Sequence, residues 1–196
     1  MTARVAQQTE QMLVFHHDAN PSLAYYLTDH LAAARAFLAM YRVSGDVVWL
    51  TRSQQTTNAI VQYFAHAEAG FTTAQTNAEL IQAPPVVEEN IYVVRFLNLL
   101  FQYTGNKNFR QAAEQGMRYL ASNEVIDTRF EEVGILMADQ ELASAPRHFT
   151  VVGAKNDPRA QALWRQTWQI PTTYARIEWW DPAAGRLPHH DVEFPV

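Results

Sequence analysis

Residues 29–60 read DHLAAARAFLAMYRVSGDVVWLTRSQQTTNAI, and residues 89–120 read ENIYVVRFLNLLFQYTGNKNFRQAAEQGMRYL. The two segments align without a gap at an offset of 60 residues. Chemically similar residues fall in register at too many positions for chance, which indicates an internal structural repeat. The matched pairs are Asp29 with Glu89, Arg35 with Arg95, Phe37 with Leu97, Met40 with Leu100, Tyr41 with Phe101, Ser44 with Thr104, Gly45 with Gly105, Asp46 with Asn106, Trp49 with Phe109 and Ile60 with Leu120.

Each copy has the pattern of an αα-hairpin. In the first copy, apolar residues recur at helical spacing from Leu31 to Tyr41, and Ser44-Gly45-Asp46 follows them. A glycine in the left-handed conformation ends a helix at low cost, and an Asp at the next position can cap the following helix. We therefore predict two helices joined at this tripeptide, and the same plan at Thr104-Gly105-Asn106 in the second copy.

The first helix of the second copy is apolar nearly all round. Between residues 91 and 101 only Arg95 and Asn98 interrupt the apolar run. A helix of this kind has neighbours on several sides. Two helical layers, with the first helix of each hairpin inside and the second outside, satisfy this requirement and predict a partial (α/α) toroid. A long α-solenoid is the alternative, although two copies are few for that architecture.

The sequence after the repeat changes its period. Residues 129–142 are predicted to form a further helix, with Phe130, Val133, Leu136 and Met137 on one face. A β-rich run then covers residues 148–152, and a second covers residues 173–179.

Between these two runs, Asp157-Pro158 has the form of an N-cap followed by a proline in the first helical position, and the helix should reach about Trp168. The segment is thus predicted to be a β-α-β unit with parallel strands.

Length and composition favour one domain and exclude several functions. A chain of 196 residues is predicted to fold as one mainly α domain, with hairpins in about residues 20–145, the β-α-β unit in residues 146–181 and an irregular tail in residues 182–196. The net charge of −5 argues against a nucleic-acid surface. The absence of cysteine excludes thiol chemistry. No apolar run is long enough to span a bilayer, so a soluble protein is expected, and the composition does not choose between cytoplasm and periplasm.

Several motifs resemble one known family, the bacterial thioredoxin-like proteins related to spermatogenesis-associated protein 20. The resemblance covers roughly residues 10–196. The motifs are Leu27-Thr28-Asp29-His30 leading to Ser44-Gly45-Asp46-x-x-Trp49-Leu50, Pro85-Val86-Val87-Glu88-Glu89-Asn90 leading to Tyr103-Thr104-Gly105, and His148-Phe149-Thr150-Val151-Val152-Gly153 with Glu178-Trp179-Trp180-Asp181 and Asp191-Val192.

The resemblance implies the C-terminal, helical part of such a protein. In that family a thioredoxin-like domain precedes a six-hairpin toroid similar to N-acylglucosamine 2-epimerases and related glycosidases. The resemblance therefore leads us to expect a fragment or a naturally truncated relative, without the thioredoxin-like part and the early hairpins. Many members have Pro-Ser-Gly-Asn where this chain has Val87-Glu88-Glu89-Asn90, so Asn90 is the ligand-binding candidate that the motif carries over.

The candidate catalytic residues lie where the two inner helices begin. Asp29 and His30 occupy the same turn of the first copy that Glu89 and Asn90 occupy in the second, and Glu88 lies beside them. Carboxylates next to a His or an Asn can perform acid–base work or bind a sugar. Acids in a first helical turn also stabilise the helix dipole, and this ordinary role is the favoured interpretation.

Other motifs are weaker. The triplets His16-His17-Asp18 and His189-His190-Asp191 lack the spacing of a helical zinc site, so no metal is predicted. The loop 152–157 has one glycine and is interpreted as a turn rather than a phosphate site. Trp179 and Trp180 are low-ranking candidates for sugar stacking, and packing is the favoured role for both.

Two functional hypotheses follow. The first is a non-catalytic helical scaffold or binding domain without a cofactor, whose partner is a thioredoxin-like domain of the same or another chain, or a second copy in a homodimer. The second is a carbohydrate-directed toroid enzyme of the epimerase or glycosidase type, with a funnel of acidic residues. The second rests largely on analogy of fold, so we expect no catalysis by this chain on its own.

Overall fold

The computed structural model describes residues 4–17, 24–76, 83–129, 131–187 and 189, and within them the chain is mainly helical with a few short strands. The helices are α1 (Leu27–Ser44), α2 (Val47–Phe64), α3 (Val87–Thr104), α4 (Lys107–Leu120), α5 (Asn123–Ile126), α6 (Val133–Ala143) and α7 (Pro158–Thr167). The strands are β1 (Arg4–Gln8), β2 (Leu13–His16), β3 (Ala24–Tyr26), β4 (Ala74–Thr76), β5 (Arg147–Val152) and β6 (Ala175–Trp180).

The repeat forms two αα-hairpins, α1 with α2 and α3 with α4, as predicted. The backbone φ is 63° at Gly45 and 65° at Gly105, so both glycines take the left-handed conformation that the sequence pattern requires. In each hairpin the glycine N–H donates to the carbonyl four residues earlier, which belongs to Tyr41 or to Phe101. The two turns are therefore the same structure built twice.

The second helix of each hairpin starts with the same cap. The side-chain oxygen of Asp46 accepts a hydrogen bond from the N–H of Val48 at 3.1 Å, and that of Asn106 accepts one from Asn108 at 3.1 Å. Each bond satisfies one of the backbone donors that a helix start leaves unpaired.

Helix α3 lies at the centre of the molecule. It packs against α1, α4, α6 and β6, and most of its side chains are buried. Tyr103, Leu97 and Leu100 are fully inaccessible and belong to the largest apolar cluster, which α1 and α2 complete. The prediction that this helix has neighbours on several sides is confirmed.

The β-α-β unit is also present. Strands β5 and β6 pair in parallel, with Phe149 opposite Ile177 and Val151 opposite Trp179. Helix α7 covers one side of the pair, and its residue Trp164 packs in the cluster that Ile177 and Trp179 share. The other side of β6 lies against α1 and α3, so the strand is buried from Ala175 to Trp179.

Two antiparallel strand pairs were not predicted from the sequence. Strands β1 and β2 form one, and β3 and β4 form the other. Strand β2 buries Leu13, Val14 and Phe15 against α1 and α2. These strands have three to five residues each, too few for an alternating pattern to be evident.

The prediction for the apolar face of α6 is wrong. Val133 and Leu136 are 62% and 70% exposed, and Phe130 lies outside the described residues. The helix instead packs Ala138, with Ile135 and Leu142 beside it, into an apolar cluster with α3, and the carboxylate of Glu141 pairs with an arginine of that helix.

The outer surface near the Gly45 turn keeps several apolar side chains exposed. They are Met40, Val43, Val47 and Val48. Within the described residues, none of the helices combines the length and the apolar character that crossing a membrane requires.

Candidate functional site

His30 is fully buried at the start of α1 and ties two other segments to the helix. Its Nε2 accepts a hydrogen bond from the N–H of Phe15 in β2 at 3.2 Å, and its Nδ1 lies 2.8 Å from the carbonyl oxygen of Tyr26. The ring therefore carries its proton on Nδ1 and is neutral. Burial lowers the pKa of His30, against the opposing effects of the Tyr26 carbonyl and Asp29.

Asn90 occupies the equivalent position in α3 and also forms hydrogen bonds to the backbone of other segments. Its Oδ1 accepts from the N–H of Phe71 at 2.7 Å, and its Nδ2 donates to the carbonyls of Phe71 and Val86 at 2.9 Å each. The side chain is fully buried and each of its polar atoms has a partner. Asn90 thus holds the loop after α2 against the first turn of α3.

Asp29 is hydrogen-bonded to a histidine, and Glu88 is in an ion pair. Asp29 lies 2.8 Å from Nδ1 of His17, and Glu88 lies 2.9 Å from a guanidinium nitrogen of Arg129. Both pairs are accessible to solvent, and Glu88 is exposed.

Glu89 differs from the other candidate acids. Burial raises the pKa of its carboxyl group, a hydrogen bond from Thr73 opposes this rise, and the negative charge of Glu88 adds to it. One of its oxygens, Oε2, is buried without a hydrogen-bond partner in the described part of the chain. Among the candidate acids, Glu89 alone combines a raised pKa with an unpaired oxygen.

The two tryptophans have packing partners. Trp179 is 8% exposed, packs on Trp164 at 5.2 Å between ring centroids, and donates its Nε1–H to the carbonyl of Gly153. Trp180 donates to the carbonyl of Gly185.

The remaining motifs lie apart from any ligand-like arrangement. The loop after β5 ends at Asp157, which caps α7, and Lys155 of this loop donates to the carbonyl of Ser44 at the end of α1. His190 and Asp191 are outside the described residues. Across the residues that the structure describes, no three His, Asp or Glu side chains are grouped as a metal ion would require.

A buried polar cluster joins β6 to the hairpins, and the sequence analysis did not identify it. Glu178, 1% exposed, accepts from Tyr41 at 3.1 Å and from Arg176 at 2.7 Å, and lies 3.0 Å from His148. Burial alone would raise the pKa of Glu178, but the hydrogen bonds and charges of His148 and Arg176 outweigh it and hold the pKa below its usual value. The cluster is fully paired and lies between packed elements, so it positions the strand.

An open groove of about 590 Å³ lies between α1 and α3, away from the candidate acids. Its floor is apolar, with Leu38, Phe96 and Leu99, and small alanines of α1 form one wall. The charged and polar side chains that line it are Arg35, Arg42, Tyr92, Arg95, Glu141, Thr173 and Tyr174.

Polar side chains on the α3 side of the groove have hydrogen-bond partners. Arg95 donates from Nε and Nη2 to the two oxygens of Glu141 at 3.0 and 2.7 Å, and these bonds raise its pKa. Burial raises the pKa of Tyr174 to about 12, and its hydroxyl accepts a hydrogen bond from Asn98 at 2.9 Å. The phenol is therefore neutral at physiological pH.

The α1 side of the groove carries two arginines that form no ion pair with any described residue. The guanidinium carbon of Arg35 lies 5.5 Å from the ring centre of Tyr92, and that of Arg42 lies 5.3 Å from that of Trp168. The Nε of Arg42 is buried and has no hydrogen-bond partner among the described residues. The groove is thus electropositive in a chain of net charge −5.

The sequence contained one signal for this groove. Arg35 and Arg95 are matched positions of the repeat, and both line it. Nothing in the repeat places Arg42 or Tyr174 there, because Tyr174 comes from the segment before β6 and reaches the groove only through the tertiary fold.

Comparison with known proteins assigns no family. No protein-family description matches the chain, and no curated protein matches it.

Proposed function

We propose that this chain is a non-catalytic helical binding domain that holds its ligand in the groove between α1 and α3. In this proposal the two hairpins are part of an (α/α) toroid of the kind found in the thioredoxin-like proteins related to spermatogenesis-associated protein 20. The groove faces are equivalent sides of the two inner helices, as expected for the concave side of such an assembly.

One observation carries the proposal: the candidate acid–base residues and the groove are in different places. His30 and Asn90 are bound to backbone groups, Asp29 is hydrogen-bonded to His17, and Glu88 is in an ion pair. The groove itself has one carboxylate, Glu141, which already accepts hydrogen bonds from Nε and Nη2 of Arg95. An acid–base pair of the glycosidase type needs two carboxyl groups facing one substrate, and the groove offers none free.

The binding role is tested by filling the groove. Ala36 is exposed on α1 and lines the groove, whereas Met40 is exposed on the same helix and does not line it. A set of small neutral, cationic and anionic organic compounds is screened by ligand-observed NMR against the wild type, Ala36→Trp and Met40→Trp. We expect the ligands of the wild type to bind Met40→Trp and to be lost from Ala36→Trp. Ligands that bind all three proteins equally would contradict the proposed site.

Glu89 supports the carbohydrate-directed enzyme as a second candidate, because a carboxyl group with a raised pKa can act as a general acid. The two candidates differ in turnover. The wild type, Glu89→Gln and Glu88→Gln are incubated with a panel of oligosaccharides, and products are followed by mass spectrometry. We expect no product; turnover that Glu89→Gln abolishes and Glu88→Gln retains would replace our proposal by the second candidate.

A further inference from the structure

We infer that the groove between α1 and α3 takes an elongated organic dianion with a flat apolar body, in which Arg35 and Arg42 each bind one anionic end. The inference rests on the proposed binding function and adds the chemical class of the ligand.

The groove carries an excess of positive charge. Three arginines line the groove against one carboxylate, and Arg95 uses its Nε and Nη2 on Glu141. The guanidinium groups of Arg35 and Arg42 have no carboxylate partner in the described residues. Guanidinium groups bind carboxylates and phosphates through paired hydrogen bonds, so two such groups in one groove favour an anionic ligand.

Arg42 has a buried hydrogen-bond donor without a partner among the described residues. A buried N–H without an acceptor is costly, and such groups in folded proteins call for a specific explanation. The Nε of Arg42 is a donor of this kind, and the residue lines the groove. Because Nε itself has almost no accessible surface, a ligand in the groove would bind the terminal nitrogens of this guanidinium group, and an anionic oxygen there would compensate its charge.

The distance between Arg35 and Arg42 along α1 suits a ligand with two anionic ends. Arg35 and Arg42 are seven residues apart on one helix, which places them on the same side of α1 and about 10 Å apart at about 1.5 Å per residue. Stacking on Tyr92 and on Trp168 orients the two guanidinium planes and leaves their edges for hydrogen bonds. A ligand with one anionic group reaches one of these arginines, whereas an elongated dianion reaches both.

The middle of the groove, between the two arginines, is apolar. Between the two arginines, Ala36 and Ala39 line the groove with small side chains, and Leu38, Phe96 and Leu99 complete an apolar surface. A volume of about 590 Å³ lies within the range of about 300–1,000 Å³ usual for small-molecule sites. This middle section suits a flat ring system rather than a polyhydroxylated sugar.

The test compares an anion with its neutral isostere on the full chain. The probe is biphenyl-4,4′-dicarboxylate, and the matched compound is biphenyl-4,4′-dicarboxamide, which has the same length and rings without charge. Binding is measured by isothermal titration calorimetry at low and at high salt. We expect the dicarboxylate to bind about tenfold more tightly than the diamide, since hydrogen bonds between two charged groups are stronger than those to a neutral group, and we expect its affinity to fall as salt rises.

Variants assign the contacts. Arg35→Gln and Arg42→Gln are each expected to weaken dicarboxylate binding about tenfold and to leave diamide binding unchanged. The control is Arg52→Gln on α2, since Arg52 also lies over an aromatic ring, that of Trp49, and does not line the groove. Arg35 is exposed, so the Arg35→Gln variant keeps the test valid if Arg42→Gln proves unstable.

The outcomes separate the two proposals. A diamide that binds as tightly as the dicarboxylate, a dicarboxylate that does not bind at millimolar concentration, or arginine variants with wild-type affinity would overturn the dianion assignment. If neutral ligands bind the wild type and Ala36→Trp excludes them, the proposed binding function would still hold. Turnover dependent on Glu89 would instead refute the binding domain itself.

Discussion

The two hairpins have nearly the same turns and very different surroundings. Helix α1 buries one stripe, whereas α3 also packs against α4 and α6 and buries most of its side chains. Each helix keeps one side on the groove, with Arg35 and Ala36 on α1 and Tyr92 and Arg95 on α3. A repeat in sequence thus fixes the hairpin and its groove-facing side, and the neighbours of each copy decide how much of the remaining surface is buried.

The comparison extends to the residue that anchors each hairpin. His30 and Asn90 are 60 positions apart, and each binds the carbonyl four residues before it and the N–H of a phenylalanine from an earlier segment. We call these two residues the clamps. They have the same position and the same type of contact, but only the His30 clamp can take a proton.

The largest effect is expected from removing a clamp. Asn90→Ala leaves the N–H and carbonyl of Phe71 without their buried partner, so it should lower the free energy of unfolding by about 3 kcal/mol. His30→Ala leaves the N–H of Phe15 without a hydrogen-bond acceptor and should lower the free energy of unfolding by about 2 kcal/mol. Urea denaturation measures both, with the exposed Glu88→Ala as a control that should stay within about 0.5 kcal/mol. Equal, small losses for all three variants would mean that the clamps do not anchor the hairpins.

These clamps also show how far sequence reasoning reaches. The repeat placed His30 and Asn90 at one turn of two equivalent helices, and the hairpins and the parallel β5–β6 pair were predicted correctly. The partners of the clamps were not predictable, because they come from β2 and from the loop after α2, whose positions depend on tertiary packing.

The groove, too, could be predicted only in part from the sequence. Its arginine pair Arg35 and Arg95 is visible in the repeat, but its closure needs Glu141 and Tyr174 from elements outside the repeat. The apolar face of α6 was predicted wrongly for a related reason: Ile135, Ala138 and Leu142 also recur at helical spacing, and tertiary packing decides that this is the face that is buried.

The turn glycines should give the next largest effect, and a difference between the copies. Alanine at a left-handed position costs about 1–2 kcal/mol at either site. A Cβ at Gly45 would also lie 3.2 Å from the backbone oxygen of Trp179, so the packed strand β6 would have to shift by a few tenths of an ångström, whereas at Gly105 it would overlap the exposed imidazole of His189, a side chain that can rotate. We expect Gly45→Ala to cost about 2 kcal/mol and Gly105→Ala about 1 kcal/mol.

Thermal denaturation of the two alanine variants, with His189→Ala as a background for Gly105→Ala, measures this difference. Equal costs in the two copies would show that the backbone of β6 yields to the added methyl group, and would remove this distinction between the hairpins.

The helix caps should have smaller and equal effects. Asp46 and Asn106 each accept one hydrogen bond of 3.1 Å from the start of the second helix. Replacing either by alanine should cost about 1 kcal/mol. Asp46→Asn and Asn106→Asp are the controls and should each retain most of the stability, as measured by urea denaturation. A cost confined to one copy would mean that the turns differ in energy despite their common geometry.

The smallest effect is expected from pH, and it separates the clamps by chemistry. Burial lowers the pKa of His30 in the folded state from its usual value of 6.5. Above pH 6.5 the ring is neutral in both states and the clamp contributes fully. As the pH falls through 6.5 the unfolded chain binds a proton that the folded chain resists, so this part of the stability declines until the pH reaches the folded pKa.

The measurement is the difference in unfolding free energy between the wild type and His30→Gln from pH 7.5 to pH 5.5. We expect this difference to shrink as the pH falls, because only the wild type loses the contribution of a neutral, buried ring. The corresponding difference for Asn90→Ala should stay constant, since an amide does not titrate in this range. Glu178 titrates at lower pH and is present in every variant, so its contribution cancels. A difference for His30→Gln that is constant with pH would show that the His30 ring does not resist protonation, and the two clamps would then be equivalent in energy as well as in position.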